Sequence, residues 1–312
     1  MKRLTSAVLV AVVVGIMIPA ASATGTTTAD GRIVFVRDHL CQNGNDCGLG
    51  EIATVNTDGS GLKVLTHDQV TEYSPRWSPN RQQIAFIRPR APDGSAQIWV
   101  MNADGTHQRP VTRLSGTPDG IQFFGDSSSS RLDWSPNGRE IVFAAYPPDP
   151  ENDGGPRHLY LANVRTGAVT ALTSGSSMKT DDDDPAWSPN GRWIAFLRAP
   201  SRVMLVSPAT HRLRELTYRG APLDASGLAW SPDGRRLAFN SHGKIAVINA
   251  DGTHLHSLGV WGWQPTWSPD GQWIVLNSSG NLAGLAEIRP DGSGHHLITH
   301  LSAKWLNFEP DW

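Results

Sequence analysis

Trp187-Ser188-Pro189-Asn190-Gly191, followed at once by Arg192-Trp-Ile-Ala-Phe-Leu197, is the stretch that decides the fold. The same phrase stands at Trp77-Ser-Pro-Asn, Trp134-Ser-Pro-Asn-Gly, Trp230-Ser-Pro-Asp-Gly and Trp267-Ser-Pro-Asp-Gly, and Glu309-Pro-Asp-Trp312 reaches its first letter. Successive Trp residues are 57, 53, 43, 37 and 45 residues apart. Such a period is near the length of a four-stranded blade and predicts a β-propeller. Pro presets φ, Asn or Asp tolerates a tight bend and Gly accepts positive φ, so the phrase is a hairpin turn. It joins a strand a, carrying the Trp, to a strand b, carrying Ile-Ala-Phe. Strand c follows, as in Lys244-Ile-Ala-Val-Ile-Asn249, then a turn such as Asp251-Gly252, then a short strand d such as Leu213-Arg-Glu-Leu-Thr217. No segment beyond the N-terminal leader keeps a 3.6-residue apolar period, so the class is all-β.

The first repeat begins at strand b, Arg32-Ile-Val-Phe-Val-Arg37, with no phrase before it. Its strand a is expected at the other end of the sequence, Asn307–Trp312. The count predicts a six-bladed β-propeller of four-stranded antiparallel blades over residues 32–312, with the ring closed by the C-terminal strand. Closure removes open sheet edges.

Residues 1–23 have a basic start, an apolar run from Ala7 to about Ala20 and the small residues Ala21-Ser22-Ala23, the three parts of a secretory signal. A short leader, 24–31, precedes the first strand. The apolar run is shorter than the roughly 20 residues that span a bilayer. The expected product is an exported, periplasmic or secreted, monomeric protein that does not span the membrane. Cys41 and Cys47, close together in an exported chain, are expected to form a local disulfide, with two free thiols as the alternative. Without Lys2 and Arg3 the chain holds 25 basic and 29 acidic residues. That balance excludes general nucleic-acid binding.

In such blades the a–b and c–d turns emerge at one end of the ring axis and the b–c and d–a connections at the other. The second set is longer: 38–50, 67–73, 89–96, 115–130, 146–157, 173–184, 217–226, 259–263 and 300–308. Long loops on a rigid frame are where binding sites concentrate. These loops carry 15 acids and five bases, so an acidic face that steers a protein or peptide partner, a basic one in particular, is expected there. Its candidate residues are Glu72, Asp126, Asp181, Asp182, Asp183, Asp184, Asp224 and Glu309, with the aromatics Trp261, Trp263 and Trp305 as anchors. Four adjacent carboxylates repel unless a cation or basic group sits among them. Asp181–Asp184 are therefore read as a partner site, as a solvated run or, through Asp183 and Asp184, as a Ca²⁺ site, although the spacing of an EF-hand is absent. No cofactor is otherwise implied. The recurring Trp residues are read as core. The histidines do not converge, and no Gly-x-Ser-x-Gly, His-Glu-x-x-His or phosphate-loop motif occurs.

Trp-Ser-Pro-Asp/Asn-Gly-x-x-Ile/Leu-Ala-Phe, together with Val100-Met-Asn-Ala-Asp-Gly105, resembles the WD-like repeat of the TolB β-propeller family, over residues 32 to 312. The resemblance implies the propeller fold and a protein-binding or scaffold role. With about nine residues from Thr24 to Arg32, no counterpart is expected for the α/β domain that precedes the propeller in TolB proper, nor for the hydrolase domain of prolyl-oligopeptidase-type enzymes. Some propellers hydrolyse lactones or esters with a divalent ion held by channel acids. The alternative function is thus a metal-dependent hydrolase, with Glu72, Asp126, Asp183, Asp184, Asp224 and Glu309 as ligands.

Overall fold

The computed structural model describes residues 31–39, 50–67, 70–89, 95–114, 131–148, 155–175, 178–279, 284–299 and 305–312. The expected signal segment, 1–23, Cys41 and Cys47 with their expected disulfide, Asp126 and the side chain of Trp305 lie outside what is described. Apart from a 3-10 turn at Met178–Thr180, the regular elements among the described residues are β-strands. The chain is all-β, and no described helix is long and apolar enough to cross a membrane.

β1 (Arg32–His39), β2 (Glu51–Asn56) and β3 (Lys63–Val64) are followed by β4 (Tyr73–Trp77), β5 (Gln83–Pro89), β6 (Ala96–Asn102) and β7 (Arg109–Pro110). Next come β8 (Leu132–Trp134), β9 (Glu140–Ala145), β10 (His158–Asn163) and β11 (Val169–Ala171), then β12 (Asp182–Trp187), β13 (Ile194–Arg198), β14 (Arg202–Val206) and β15 (Leu213–Glu215). A ribbon of β16 (Thr217–Tyr218) and β17 (Ala221–Pro222) precedes β18 (Ser226–Trp230), β19 (Arg236–Ser241), β20 (Lys244–Asn249) and β21 (His256–Trp267). The last strands are β22 (Ile274–Ser278), β23 (Gly284–Ile288), β24 (His296–Leu297) and β25 (Trp305–Asp311).

The expectation of six four-stranded blades is corrected by the hydrogen bonding. The structure holds four four-stranded blades: β25-β1-β2-β3, β4-β5-β6-β7, β8-β9-β10-β11 and β12-β13-β14-β15. The remaining strands form one seven-stranded sheet, β18 to β24, and the separate ribbon β16-β17. The reason lies in residues 259–263, expected as a loop. They stay extended, so β21 pairs with β20 through its first half and with β22 through its second, and no break divides the sheet. This is the shortest Trp-to-Trp interval, 37 residues, and it leaves no chain for a loop.

The phrase explains its own turn. Ser78, Ser135, Ser188, Ser231 and Ser268 each donate through Oγ to the Asn or Asp two residues on, at 2.6–3.0 Å. Each also accepts the backbone N–H five residues on, at 2.9–3.0 Å. Gly138, Gly191, Gly234 and Gly271 take φ of 67–71° there, whereas the first copy has Arg81 at φ 55°.

The core lies between neighbouring sheets and, in the seven-stranded sheet, between its two halves. Phe35, Phe86, Phe143, Phe196 and Phe239, one from each of five b strands, are at most 1 % exposed, and burying such a ring stabilises by roughly 1.5–3 kcal/mol. The phrase indoles pack in the same interfaces: Trp134 joins β5 and β6 residues to β9, and Trp267 joins β19 and β20 to β22. Three of them also bond to the preceding inner strand, with Nε1 of Trp134, Trp230 and Trp267 donating to the carbonyls of Arg76, Ala186 and Ala229 at 3.1–3.2 Å. The inner strands β4, β8, β12, β18, β21 and β25 touch in succession, and β25 touches β4, so they surround an axis.

Candidate functional site

Three residues before five of the six phrase Trp residues, the inner strands bulge; β8 is the exception. The pairing register shifts there in β4, β12, β18 and β21, and Ser74, Asp184, Gly227, Gln264 and Glu309 all take φ of 50–67°. A bulge swings its side chain out of the sheet, here across the axis onto the next strand. Glu309 Oε2 accepts the Ser74 amide at 2.5 Å, and Ser74 Oγ accepts that of Leu132 at 3.2 Å. Asp184 Oδ2 accepts the amides of Gly227 and Leu228 at 2.5 and 3.1 Å, and Gln264 Oε1 accepts that of Glu309 at 3.0 Å. Arg131, in the same register, reaches Asp184 at 3.3 Å. These residues form a polar belt across the axis. Sequence reasoning selected Asp184 and Glu309 and missed Ser74, Arg131 and Gln264, although their shared register with the Trp was a readable signal.

The other acids of the run are paired too. Arg157, just before β10, donates to Asp181 through Nε and Nη2 at 3.1 and 3.0 Å and to Asp183 through Nη1 at 2.8 Å. Arg198 on β13 grips both oxygens of Asp182 at 2.6 and 2.8 Å. Asp182, Asp183 and Asp184 are buried. Burial works against the charge of Asp181, yet the Arg157 bonds outweigh it and hold that carboxyl below the usual range. Burial pushes Asp183 up to about 7, with Arg157 opposing and Asp184 adding to the rise. Glu72, fully buried, takes Arg88 Nε at 2.8 Å. The basic groups that four adjacent carboxylates require are thus arginines of the chain itself. Among the described residues no three His, Cys, Asp or Glu side chains are grouped to hold a metal ion. Asp183 and Asp184, the Ca²⁺ candidates, spend their oxygens on arginines and amides.

Other candidates stand in solvent. Trp261 and Trp263 are 55 % and 44 % exposed, two residues apart and so on one side of β21. Between them Gly262 is buried so tightly that a Cβ would meet Leu276 Cδ1 at 2.4 Å and the Asn277 carbonyl at 2.7 Å. Lys244 Nζ lies 5.3 Å above the Trp261 ring, and Gly243 backs it. Beside them, exposed Asp224 faces His242 at 3.4 Å. This patch is at the loop end of the axis.

At the turn end the axis opens as a cavity of about 330 Å³. Its walls are the indoles of Trp77, Trp187, Trp230, Trp267 and Trp312 and the turn prolines, and its floor is Arg76, Arg131, Asp133, Thr266 and Asp311. Asp133 Oδ2 accepts the Trp187 amide at 2.6 Å, and Asp311 Oδ2 accepts the Trp77 amide at 2.7 Å. Burial pushes Asp133 up to about 7, the Trp187 amide opposes this, and Asp311 adds to it. Burial, then the Arg131 charge, hold Arg76 below the ordinary arginine value.

The family model for the TolB beta propeller domain matches residues 23–304. Among curated relatives, the uncharacterized peptidase YuxL of Bacillus subtilis is 28 % identical over 225 residues, 63 % of this chain and 31 % of that protein. The Tol-Pal system protein TolB of Rhizorhabdus wittichii is 40 % identical over 67 residues, 21 % of this chain and 15 % of that protein. The chain therefore spans less than a third of either relative. Among solved structures, TolB from Acinetobacter baumannii superposes with a TM-score of 0.69 at 19 % identity, covering 90 % of this chain and 66 % of that one, a likeness of fold.

Proposed function

We propose that this chain, which belongs to the TolB beta propeller domain family, is an exported protein-binding module whose contact surface is the loop end of the axis. The exposed pair Trp261 and Trp263, with Asp224, carries the reading. Large aromatic side chains fixed on a rigid strand are effective interface anchors, because little conformational freedom is lost when they are covered. The buried arginine–carboxylate network holds the surface in shape, and Asp224 supplies the charge that a basic partner meets.

A photo-crosslinking residue at position 263 in cells tests this. A discrete adduct is expected there, lost with Trp261→Ala and absent from a probe at Leu213, an exposed residue of the outer strand β15. Equal labelling from both positions would sink the reading. Export is tested by fractionation, with deletion of residues 1–23 expected to leave the protein in the cytoplasm. The peptidase name of one relative describes a protein more than three times as long as the matched part, so peptide hydrolysis is not carried over.

A further inference from the structure

The cavity at the turn end lies across the polar belt from the loop-end patch, and what it binds is independent of the function proposed above. Its volume, about 330 Å³, is at the small end of ligand pockets and suits a single side chain or chain end. Three arginines, Arg76, Arg81 and Arg131, line it against two aspartates, Asp133 and Asp311.

The aspartates are already satisfied. Asp133 accepts the Trp134 and Trp187 amides at 2.8 and 2.6 Å, one on each oxygen. Asp311 accepts the Trp77 amide at 2.7 Å and the Thr266 hydroxyl at 3.3 Å, again one on each. The arginines of the floor are not. Elsewhere Arg157 and Arg198 grip a carboxylate with two nitrogens. Arg76, 8 % exposed, is held among the described residues by one bond, to the Pro75 carbonyl beside it at 2.7 Å. Arg131, 4 % exposed, has Nη1 3.3 Å from Asp184 and 3.4 Å from the Leu228 carbonyl, while its Nε and Nη2 are buried without a partner.

The walls repeat the imbalance. Nε1 of Trp230 and Trp267 donates to a carbonyl, but Nε1 of Trp77, Trp187 and Trp312 is buried without a partner. Every buried side-chain nitrogen or oxygen of the lining that lacks a bond is thus a donor. Unmet donors beside buried positive charge favour a ligand that is negative and only accepts. Burial, then the Arg131 charge, hold Arg76 below the ordinary arginine value, and an anion beside the two would relieve both effects. In the belt beneath, Asp184 offsets part of the Arg131 charge, and burial works against the charge of Glu309.

We propose that this cavity binds a single carboxylate, with Arg76 as its principal partner, Arg131 adding its charge, and the indole and proline walls enclosing the stem that carries it. A guanidinium presents a planar fork that fits the two oxygens of a carboxylate. The lining has one positive charge in excess, which matches a monoanion. A phosphate dianion would bring a second negative charge against Asp133 and Asp311. Such a carboxylate is carried by a Glu side chain or by the C-terminus of a peptide.

The test is titration of the full chain with two pairs of peptides, followed by intrinsic Trp fluorescence and ligand-observed NMR. One pair is acetyl-Gly-Glu-Gly-amide and its Gln counterpart; the other is acetyl-Gly-Leu and its amide. An acid is expected to saturate a single site at least tenfold tighter than its neutral counterpart, and the pair that responds identifies the source of the carboxylate. Inorganic phosphate at the same concentration should not displace it. Arg76→Gln should abolish the preference for acid, while Leu213→Ala, on the outer strand β15, leaves it intact. Because the selectivity is read on the unsubstituted chain, the test does not depend on the variant folding. Equal binding of acid and neutral peptide in both pairs, no saturation by either acid at millimolar concentration, or displacement by phosphate overturns the proposal.

Discussion

Arg81 occupies the one turn copy in which Gly is missing, and it holds φ 55°. A side chain in the left-handed region costs roughly 1–2 kcal/mol relative to right-handed backbone, which Gly avoids. Arg81 offsets this with its bond to the Arg32 carbonyl and its stacking on Trp77. Arg81→Ala removes those contacts and keeps the cost, whereas Arg81→Gly removes both. The Gly variant is therefore expected to be more stable than the Ala variant by about 1 kcal/mol in urea denaturation. Equal stability of the two would show that the turn carries no backbone strain.

β21 is the element on which the sheet count turns, and Gly262 is its tightest point. A methyl group there collides with Leu276 and the Asn277 carbonyl. Gly262→Ala is expected to cost about 1–3 kcal/mol, as overpacking does, and to shift the emission of Trp261 and Trp263 as the strand moves; an unchanged melting temperature and spectrum would argue against that contact. The sequence showed the repeat, the turn chemistry, the buried Trp of the phrase and the strand order within a blade, because each of these is set by residues adjacent in the chain. It did not show that 259–263 would stay extended, since Gly259 and Gly262 resemble loop residues until the neighbouring strands are in place. Nor did it show the partners of the aspartate run. Arg157 and Arg131 lie 24 and 53 positions before Asp181 and Asp184, so only the packing of one sheet on another brings them together.

Across the whole molecule the axial charges set the response to pH. Asp133 and Asp183, both raised to about 7 by burial, hold protons that the unfolded chain has released above its ordinary carboxylate range. Their contribution to stability is complete below that range and is lost as pH rises through about 7. Hydrogen bonds from Ser and Thr instead lower the exposed Asp58, Asp104, Asp251 and Asp291, so stability from these falls away in acid. The melting temperature is expected to peak near about pH 4 and to decline up to about pH 7, with Asp133→Asn flattening the decline. A melting temperature that climbs from pH 5 to 8 would contradict the burial of these groups. Deleting 307–312 removes Glu309 and Asp311 from the axis and leaves β1 with an open edge. Aggregation or a much lower melting temperature is expected in calorimetry, and a monomer of unaltered stability would count against the closed ring.

The pairing of β25 with β1 also orders events in time. β1 leaves the ribosome before the other described strands, and its partner β25 follows all of them. Through nearly the whole of synthesis the first sheet lacks its inner strand, and the amide of Ser74 lacks its acceptor. Folding units beyond simple two-state size pass through such incomplete species, and here the incompleteness is dictated by connectivity. A nascent chain stalled before residue 305 should remain open to added protease and to chaperones, and therefore threadable through a translocation channel, until the final strand arrives and seals the ring.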